Sequence, residues 1–375
     1  MKILERSVGD RKIIWFEGSN RYSIVEMPAY EVIVRLARDE EPASIISWVS
    51  ENYELPESES SRFVEEIRQM AEKQSKPDEP DPGAVTMAVP DDMPASFNAR
   101  RIYRINQCSI AADYGDDVTE HLIHPKLAHL ETGPGNEPDY CFQVFRYLGK
   151  YVLRINGTVI GTWMPEDSHY LTGKFSMELL NRMYGRHEND WMGVFHASAI
   201  SKGRESVLFL GDSGSGKSTA CSILMASGFG LVADDFVAVD ALTWEACYFP
   251  AAVSVKKTAL DHLLPIYPQL GSAVEFYYPG LDKTVRYLAP NIQRETNGSG
   301  FPCKALVFVK YRPGSGMVME KLSQDIAFQY LVPDSWISPV AENAQRFLDW
   351  FLGLPCYRLT YDDNEKMVGA VGDLF

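Results

Sequence analysis

No stretch of this chain approaches the ~20 consecutive apolar residues of a membrane span, and its first residues, MKILERSVGDRKIIWF, lack the apolar core of a secretory signal. A cytoplasmic location without a membrane partner is the expectation. Positive charge is in short supply: 36 basic residues face 51 acidic ones, for a net charge of −15. Such a surface repels nucleic acid and anionic membranes on average, so neither is expected as a partner. The six cysteines (Cys108, Cys141, Cys221, Cys247, Cys303, Cys356) show neither close pairs nor a zinc-type spacing, and they read as reduced thiols. There is no internal repeat and no low-complexity tract. What remains is an ordinary globular composition, 45% hydrophobic, in 375 residues. That length suits two or three domains of ~100–200 residues each.

The boundaries follow from composition. Residues 76–94, KPDEPDPGAVTMAVPDDMP, combine proline and acid, bury little and cannot hold a helix; they read as a linker. Before it, residues 1–75 predict a small α+β module, winged-helix-like in pattern. Two short strands at Ile13–Phe16 and Tyr22–Val25 are followed by helices near Pro28–Ala37, Pro42–Asn52 and Glu57–Gln74. Pro28 and Pro42 suit a first helical turn, and Phe63, Ile67 and Met70 share a face of the third helix. Residues 95–190 form a β-rich segment with the runs CFQVFRYL and YVLRINGTVIGTW, a turn at Asn156-Gly157 and a helix over Lys174–Tyr184. From residue 191 to residue 375 apolar strands flank one strong helix, which predicts an α/β domain.

The most informative residues are 211–219, GDSGSGKST, in which Gly211, Gly216, Lys217 and Ser218 satisfy the Walker A pattern. Gly211, Asp212, Ser213, Gly214, Ser215 and Gly216 would curl so that backbone N–H groups point at phosphates. The helix opening with Lys217, Ser218 and Thr219 would add its positive end. Lys217 would hold the β- and γ-phosphates of ATP, and the Ser218 hydroxyl would ligate Mg²⁺. The strand-like SVLFL before the loop and the helix-like ACSILMASG after it supply the required context.

A phosphate loop alone does not separate a kinase from a GTPase, a motor or a switch. The run GFGLVADDFVAVD ends a strand in Asp234-Asp235, and in a doubly wound sheet acids in that position face the phosphates. One carboxylate can organise Mg²⁺ while the other takes a proton from an attacking hydroxyl. A lone histidine such as His196 is otherwise more often structural. His121, His124 and His129 are irregularly spaced around Pro125 and read as surface residues rather than a metal site.

Taken together, the stretch HASAISKGRESVLFLGDSGSGKSTACSILMASGFGLVADDFV, His196–Val237, resembles the HPr kinase/phosphorylase family. That family reads as a His-led strand, GDSGxGKS and then LxADD. Here His196 lies 15 residues before Gly211, and Asp235 lies 18 after Lys217. The resemblance implies a P-loop kinase fold related to ATP-type phosphoenolpyruvate carboxykinase, with phosphoryl transfer from ATP to a serine hydroxyl of a peptide or protein. It further implies Asp235 as general base, Asp234 and Ser218 as metal residues, and His196 beside the transferred phosphate. The chain departs from the family downstream. A metal-binding Glu segment is replaced by FPAAVSVKKTALDHL, with Lys256 and Lys257 near the expected place. The family's catalytic Arg has two candidates, Arg286 and Arg294, with Lys283 nearby; Arg286 is favoured.

The stretch from Trp15 to Met70 resembles PqqD-like domains, which recognise leader peptides in ribosomal peptide modification. That implies a module able to accept a peptide strand and raise its local concentration at the kinase site. Two other functions stay open beside the serine kinase. One is an ATP-binding switch without phosphotransfer, and the other is a small-molecule phosphotransferase acting on a hydroxy or enol acid. A homo-oligomer is compatible with all three.

Overall fold

The computed structural model describes residues 1–77, 96–133, 135, 137–278, 283–290 and 300–375. Nearly all of the proline-rich linker therefore lies outside the described residues. The chain is mixed α/β and divides into two units, Met1–Glu79 with Lys321–Cys356, and Pro80–Glu320 with Tyr357–Phe375. Among the described residues no helix is long and apolar enough to cross a membrane.

In the first unit, strands β1 (Ile3–Val8), β2 (Arg11–Phe16) and β3 (Arg21–Glu26) form an antiparallel sheet, followed by helices α1 (Met27–Ala37), α2 (Pro42–Tyr53) and α3 (Glu57–Ser75). β2 and β3 and the three helices fall where the sequence predicts them. β1 is additional: its run ILERSV alternates poorly and is only half-buried, so period 2 is faint. Ile14, Phe16, Ile33 and Ala71 form one core cluster and Val32, Ile45, Val49 and Val64 another.

This unit is not closed by residues 1–75 alone, and residues 321–356, assigned by sequence to the C-terminal domain, complete it. Helices Gln324–Leu331 and Ala341–Leu352 bring Phe328 and Phe347 against Tyr22, with ring centroids 5.8 and 5.5 Å away. Arg6 donates to both oxygens of Asp349, at 2.7 and 3.2 Å. Phe347 is fully buried. Phe347→Ala is expected to lower the urea midpoint of this unit by the equivalent of about 3–5 kcal/mol, the usual cost of emptying a buried aromatic site. A change below ~1 kcal/mol would show that residues 1–75 stand without that support.

In the second unit, β4 (Ala99–Ile105), β5 (Cys108–Tyr114), β6 (Tyr140–Tyr147), β7 (Lys150–Ile155) and β8 (Thr158–Trp163) follow one another across a five-stranded sheet. Asn156 and Gly157 both adopt positive φ, as a tight β7–β8 hairpin requires. Helix α4 (Asp117–Leu127) crosses between the parallel pair β5 and β6 and opens with a capping box of Asp116 and Thr119. Helix α5 (Ser168–Tyr184) starts six residues earlier than Lys174 and lays Phe175 on Phe142, centroids 5.0 Å apart.

The larger sheet holds β9 (Trp191–Phe195), β10 (Ser198–Lys202), β11 (Glu205–Leu210), β12 (Gly230–Ala233), β13 (Val237–Asp240), β14 (Glu245–Cys247) and β18 (Phe301–Tyr311), ordered β12-β10-β11-β18-β14-β13-β9. Helix α6 (Lys217–Ala226) follows β11 and buries Ala220, Cys221, Ile223 and Leu224 against Val207, Phe209 and Val307. A further small sheet is β15 (Val253–Lys256), β17 (Lys283–Leu288) and β16 (Phe276–Tyr278). β19 (Met317–Lys321) and the strand Cys356–Tyr361 pair with each other, and the latter also pairs with β18. Of the pairings β10–β11, β10–β12, β13–β14, β9–β13, β14–β18 and β11–β18, the last alone is parallel, so this part of the sheet is not doubly wound and parallel.

Candidate active site

The acids reach the glycine-rich loop 211–219 by another route. β9 passes into β10 through His196-Ala197, and β12 passes into β13 through 234–236. The registers Phe195↔Val237 and Ala199↔Ala233 flank these two interruptions, so they face each other across the sheet. Ser198 in turn lies opposite Phe209, two residues before the loop. His196, Asp234-Asp235 and residues 211–216 are thus lateral neighbours at one break in the ladder. Released from pairing, their side chains can turn out of the sheet.

The loop itself is built on glycine. Gly211 has φ 132°, and a Cβ there would meet the Val309 carbonyl at 2.9 Å; Gly216 has φ 105°, with Tyr311 Cβ at 3.1 Å from such an atom. The Tyr311 N–H donates to the Ser215 carbonyl at 2.8 Å, tying the loop to β18. Lys217 is buried and donates to the carbonyls of Gly211 at 2.5 Å and Asp212 at 3.3 Å. Across the loop, Lys256 donates to Ser213 Oγ at 3.0 Å. A second cation thus lies over the loop.

Asp234 is 3% exposed and accepts three hydrogen bonds: from Ser198 Oγ (2.5 Å), Ser218 Oγ (3.0 Å) and the Ser254 N–H (3.3 Å). Burial and the neighbouring charge of Asp235 nevertheless push its carboxyl above the usual range. Asp235 sits at φ 62°, a left-handed conformation uncommon for a side chain larger than glycine. Burial pushes its pKa up, but His196, Lys283, Lys126 and Lys217 outweigh it and hold the carboxylate below its ordinary value. The two adjacent acids are thus driven apart by different surroundings.

A cation between Ser218 and Asp234 fits this chemistry. A buried carboxylate already strained by a neighbouring negative charge lies beside a hydroxyl, and the Ser254 Oγ next to them has no hydrogen-bond partner. Among the described residues no three His, Cys, Asp or Glu side chains gather to hold a metal, so the remaining ligands would be phosphate oxygens and water, as Mg²⁺ commonly accepts.

A small hollow of about 100 Å³ at the loop is lined by His196, Lys217, Ser218, Thr219, Asp235 and Lys256, among others. It adjoins a cavity of about 720 Å³ that both aspartates also line. Part of the cavity's wall comes from α4 and α5, through Leu122, Ile123, Lys126, His169, Thr172 and Ser176. The segment 95–190, read from sequence as a lead-in to the kinase, thus supplies part of the site.

Of the predicted residues, the structure gathers Gly211–Thr219, His196, Asp234 and Asp235. It does not bring Arg286 to either hollow: its guanidinium binds Glu275 (3.0 Å) and the carbonyls of Leu270 and Gly271. Lys283, three residues earlier on β17, lines both hollows instead. Arg294 lies outside the described residues. His121 and His124 have separate partners, the Tyr277 carbonyl (3.0 Å) and the Tyr103 hydroxyl (2.8 Å). Sequence reasoning missed Lys126. It shares a helical face with Leu122, Ile123 and Leu127, and a lone lysine on an apolar face was the available signal. No protein-family model matches the chain. No curated protein matches it either.

Proposed function

We propose that this chain is an ATP- and Mg²⁺-dependent phosphotransferase acting on a hydroxyl, with the HPr kinase-like serine kinase as its nearest mechanistic pattern. The observation that carries the reading is one cluster: the glycine-built loop with Lys217, the Ser218–Asp234 bond, and Asp235 facing a cavity large enough for an acceptor. A nucleotide switch needs the first two features but has no use for the third.

In this reading the loop N–H groups, Lys217 and Lys256 hold the phosphates. Mg²⁺ at Ser218 and Asp234 would neutralise charge on the phosphate oxygens when bound. Asp235 accepts the hydroxyl proton as the acceptor oxygen bonds to the γ-phosphorus and the bond to the β-phosphate oxygen breaks, releasing ADP. Phosphates among the same lysines would offset the field that depresses Asp235, raising its basicity when the substrates are in place. His196 stands beside that transfer and adds a polar contact to the phosphate. The first unit, with outer strands β1 and β3, would serve as a peptide-docking module on the PqqD-like pattern.

The direct test is incubation of the full chain with γ-labelled ATP, Mg²⁺ and serine-bearing peptides or small hydroxy compounds. Label should pass to an acceptor and depend on Mg²⁺. Failure to bind ATP in the presence of Mg²⁺ would remove the reading.

A further inference from the structure

We infer that the acceptor carries a negatively charged group beside its reactive hydroxyl, and that Lys126, with Lys283, binds that group in the cavity facing Asp235. The inference rests on the phosphotransferase reading and goes beyond it to the acceptor's chemistry.

The first observation is a reversal of charge. The chain as a whole carries −15, yet the cavity of about 720 Å³ is lined by four lysines, Lys126, Lys256, Lys257 and Lys283, against two acids, Asp234 and Asp235. A local cationic excess inside an acidic protein points to an anion that must be drawn in against the overall field. The phosphates of the nucleotide account for part of it, through Lys217 and Lys256 at the loop. They do not account for Lys126, which lines the large cavity but not the hollow at the loop.

The second observation is how Lys126 is held. It sits in the last turn of α4, and its carbonyl accepts the Ala252 N–H at 2.8 Å, so the backbone is fixed against the segment entering β15. Leu122, Ile123 and Leu127 surround it on the cavity wall. Among the described residues neither Lys126 nor Lys283 forms a salt bridge within 4.0 Å; both act on Asp235 through space. Burial pushes the Lys126 ammonium below its ordinary value, with Lys283 adding to the effect. An anion placed between the two would relieve both costs.

The third is geometry. Asp235 faces the loop and the cavity at once. A hydroxyl within reach of Asp235, and in line with a phosphate on the loop, would have the rest of its molecule in the cavity. A carboxylate or phosphate a few bonds from that hydroxyl falls on the side of Lys126 and Lys283. The apolar wall leaves room for a short carbon skeleton. Such an anion can belong to a free hydroxy acid or to an acidic residue next to a serine in a peptide.

The test compares matched acceptors on the full chain with Mg-ATP. One arm sets glycerate and 3-phosphoglycerate against glycerol. The other sets a serine peptide with Glu beside the serine against the same peptide with Gln. In the arm that matches the natural source, the anionic member should exceed the neutral one at least ~10-fold in kcat/KM or in binding to the Mg-ADP form. Lys126→Gln should remove that preference while Lys126→Arg keeps most of it. Mg-ATP affinity should change by no more than ~2-fold in either variant, since Lys126 does not line the phosphate hollow. Equal use of charged and neutral members in both arms overturns the inference, as does a preference that survives Lys126→Gln or the absence of binding by any anionic member. Loss of Mg-ATP binding in the unmodified chain would instead strike the phosphotransferase reading itself.

Discussion

Asp235→Asn is expected to lower phosphoryl transfer by ~10²–10⁴-fold while leaving Mg-ATP affinity within a few fold. A hydroxyl is a poor nucleophile at neutral pH, and the only ionised carboxylate facing both the loop and the cavity among the described residues is Asp235. The amide keeps the shape but cannot take the proton. In the proposed reading nucleotide affinity would depend on the loop N–H groups, Lys217 and the residues that would hold the metal, none of which the change removes. The paired change Asp234→Asn should act differently. Because Asp234 receives Ser198, Ser218 and the Ser254 N–H, it should raise the Mg²⁺ concentration needed for activity. Product analysis by mass spectrometry separates the two. Equal product from wild type and Asp235→Asn would end the general-base assignment.

Lys217→Ala should take transfer to background, a loss of at least ~10²–10³-fold, because in the proposed reading it removes the cation that the loop itself holds for the phosphates. It should also weaken Mg-ATP binding by ~10–100-fold, the worth of one or two charge-assisted hydrogen bonds. The ammonium is already poised: it is buried in the loop on the carbonyls of Gly211 and Asp212. Lys256, across the loop on Ser213, is an exposed-side partner and should not substitute for it. Titration with a fluorescent ATP analogue checks the binding, and labelled ATP checks the transfer. Unchanged affinity and rate in Lys217→Ala would take the loop out of the mechanism.

The parts of this site that were legible in the sequence are those fixed by local chemistry. GDSGSGKST needs glycine where φ is positive, and Gly211 and Gly216 adopt such values. The pair Asp234-Asp235 ends an apolar strand, and the helices of the first unit are spaced by their prolines and apolar faces. What escaped depends on long-range pairing. Helix Ala341–Leu352 is strongly amphipathic, but nothing in AENAQRFLDWFL says that its apolar face meets Tyr22 rather than its neighbours in sequence. Lys283 and Arg286 are both cations on β17; standing three residues apart, they point to opposite faces of the strand, and only the folded sheet decides which face meets the loop. Lys126 shares helix α4 with His121 and His124, whose partners are the Tyr277 carbonyl and the Tyr103 hydroxyl, and nothing local in the sequence beyond its apolar neighbours marks it as lining a cavity.

The discontinuous first unit also bears on the order in which the molecule can form. Chains emerge from the ribosome at ~5–20 residues per second, and domains usually fold in the order they are made. Here the earliest-synthesised sheet and helices wait for Phe328, Phe347 and Asp349, which emerge only after β9 to β19 and the whole glycine-rich loop. Until then, the face of β3 around Tyr22 and the guanidinium of Arg6 lack their partners from that late segment. Most of the second unit is therefore synthesised before the first can close, so a stall or truncation between residues 260 and 340 would damage the amino-terminal module as well as the carboxyl-terminal one.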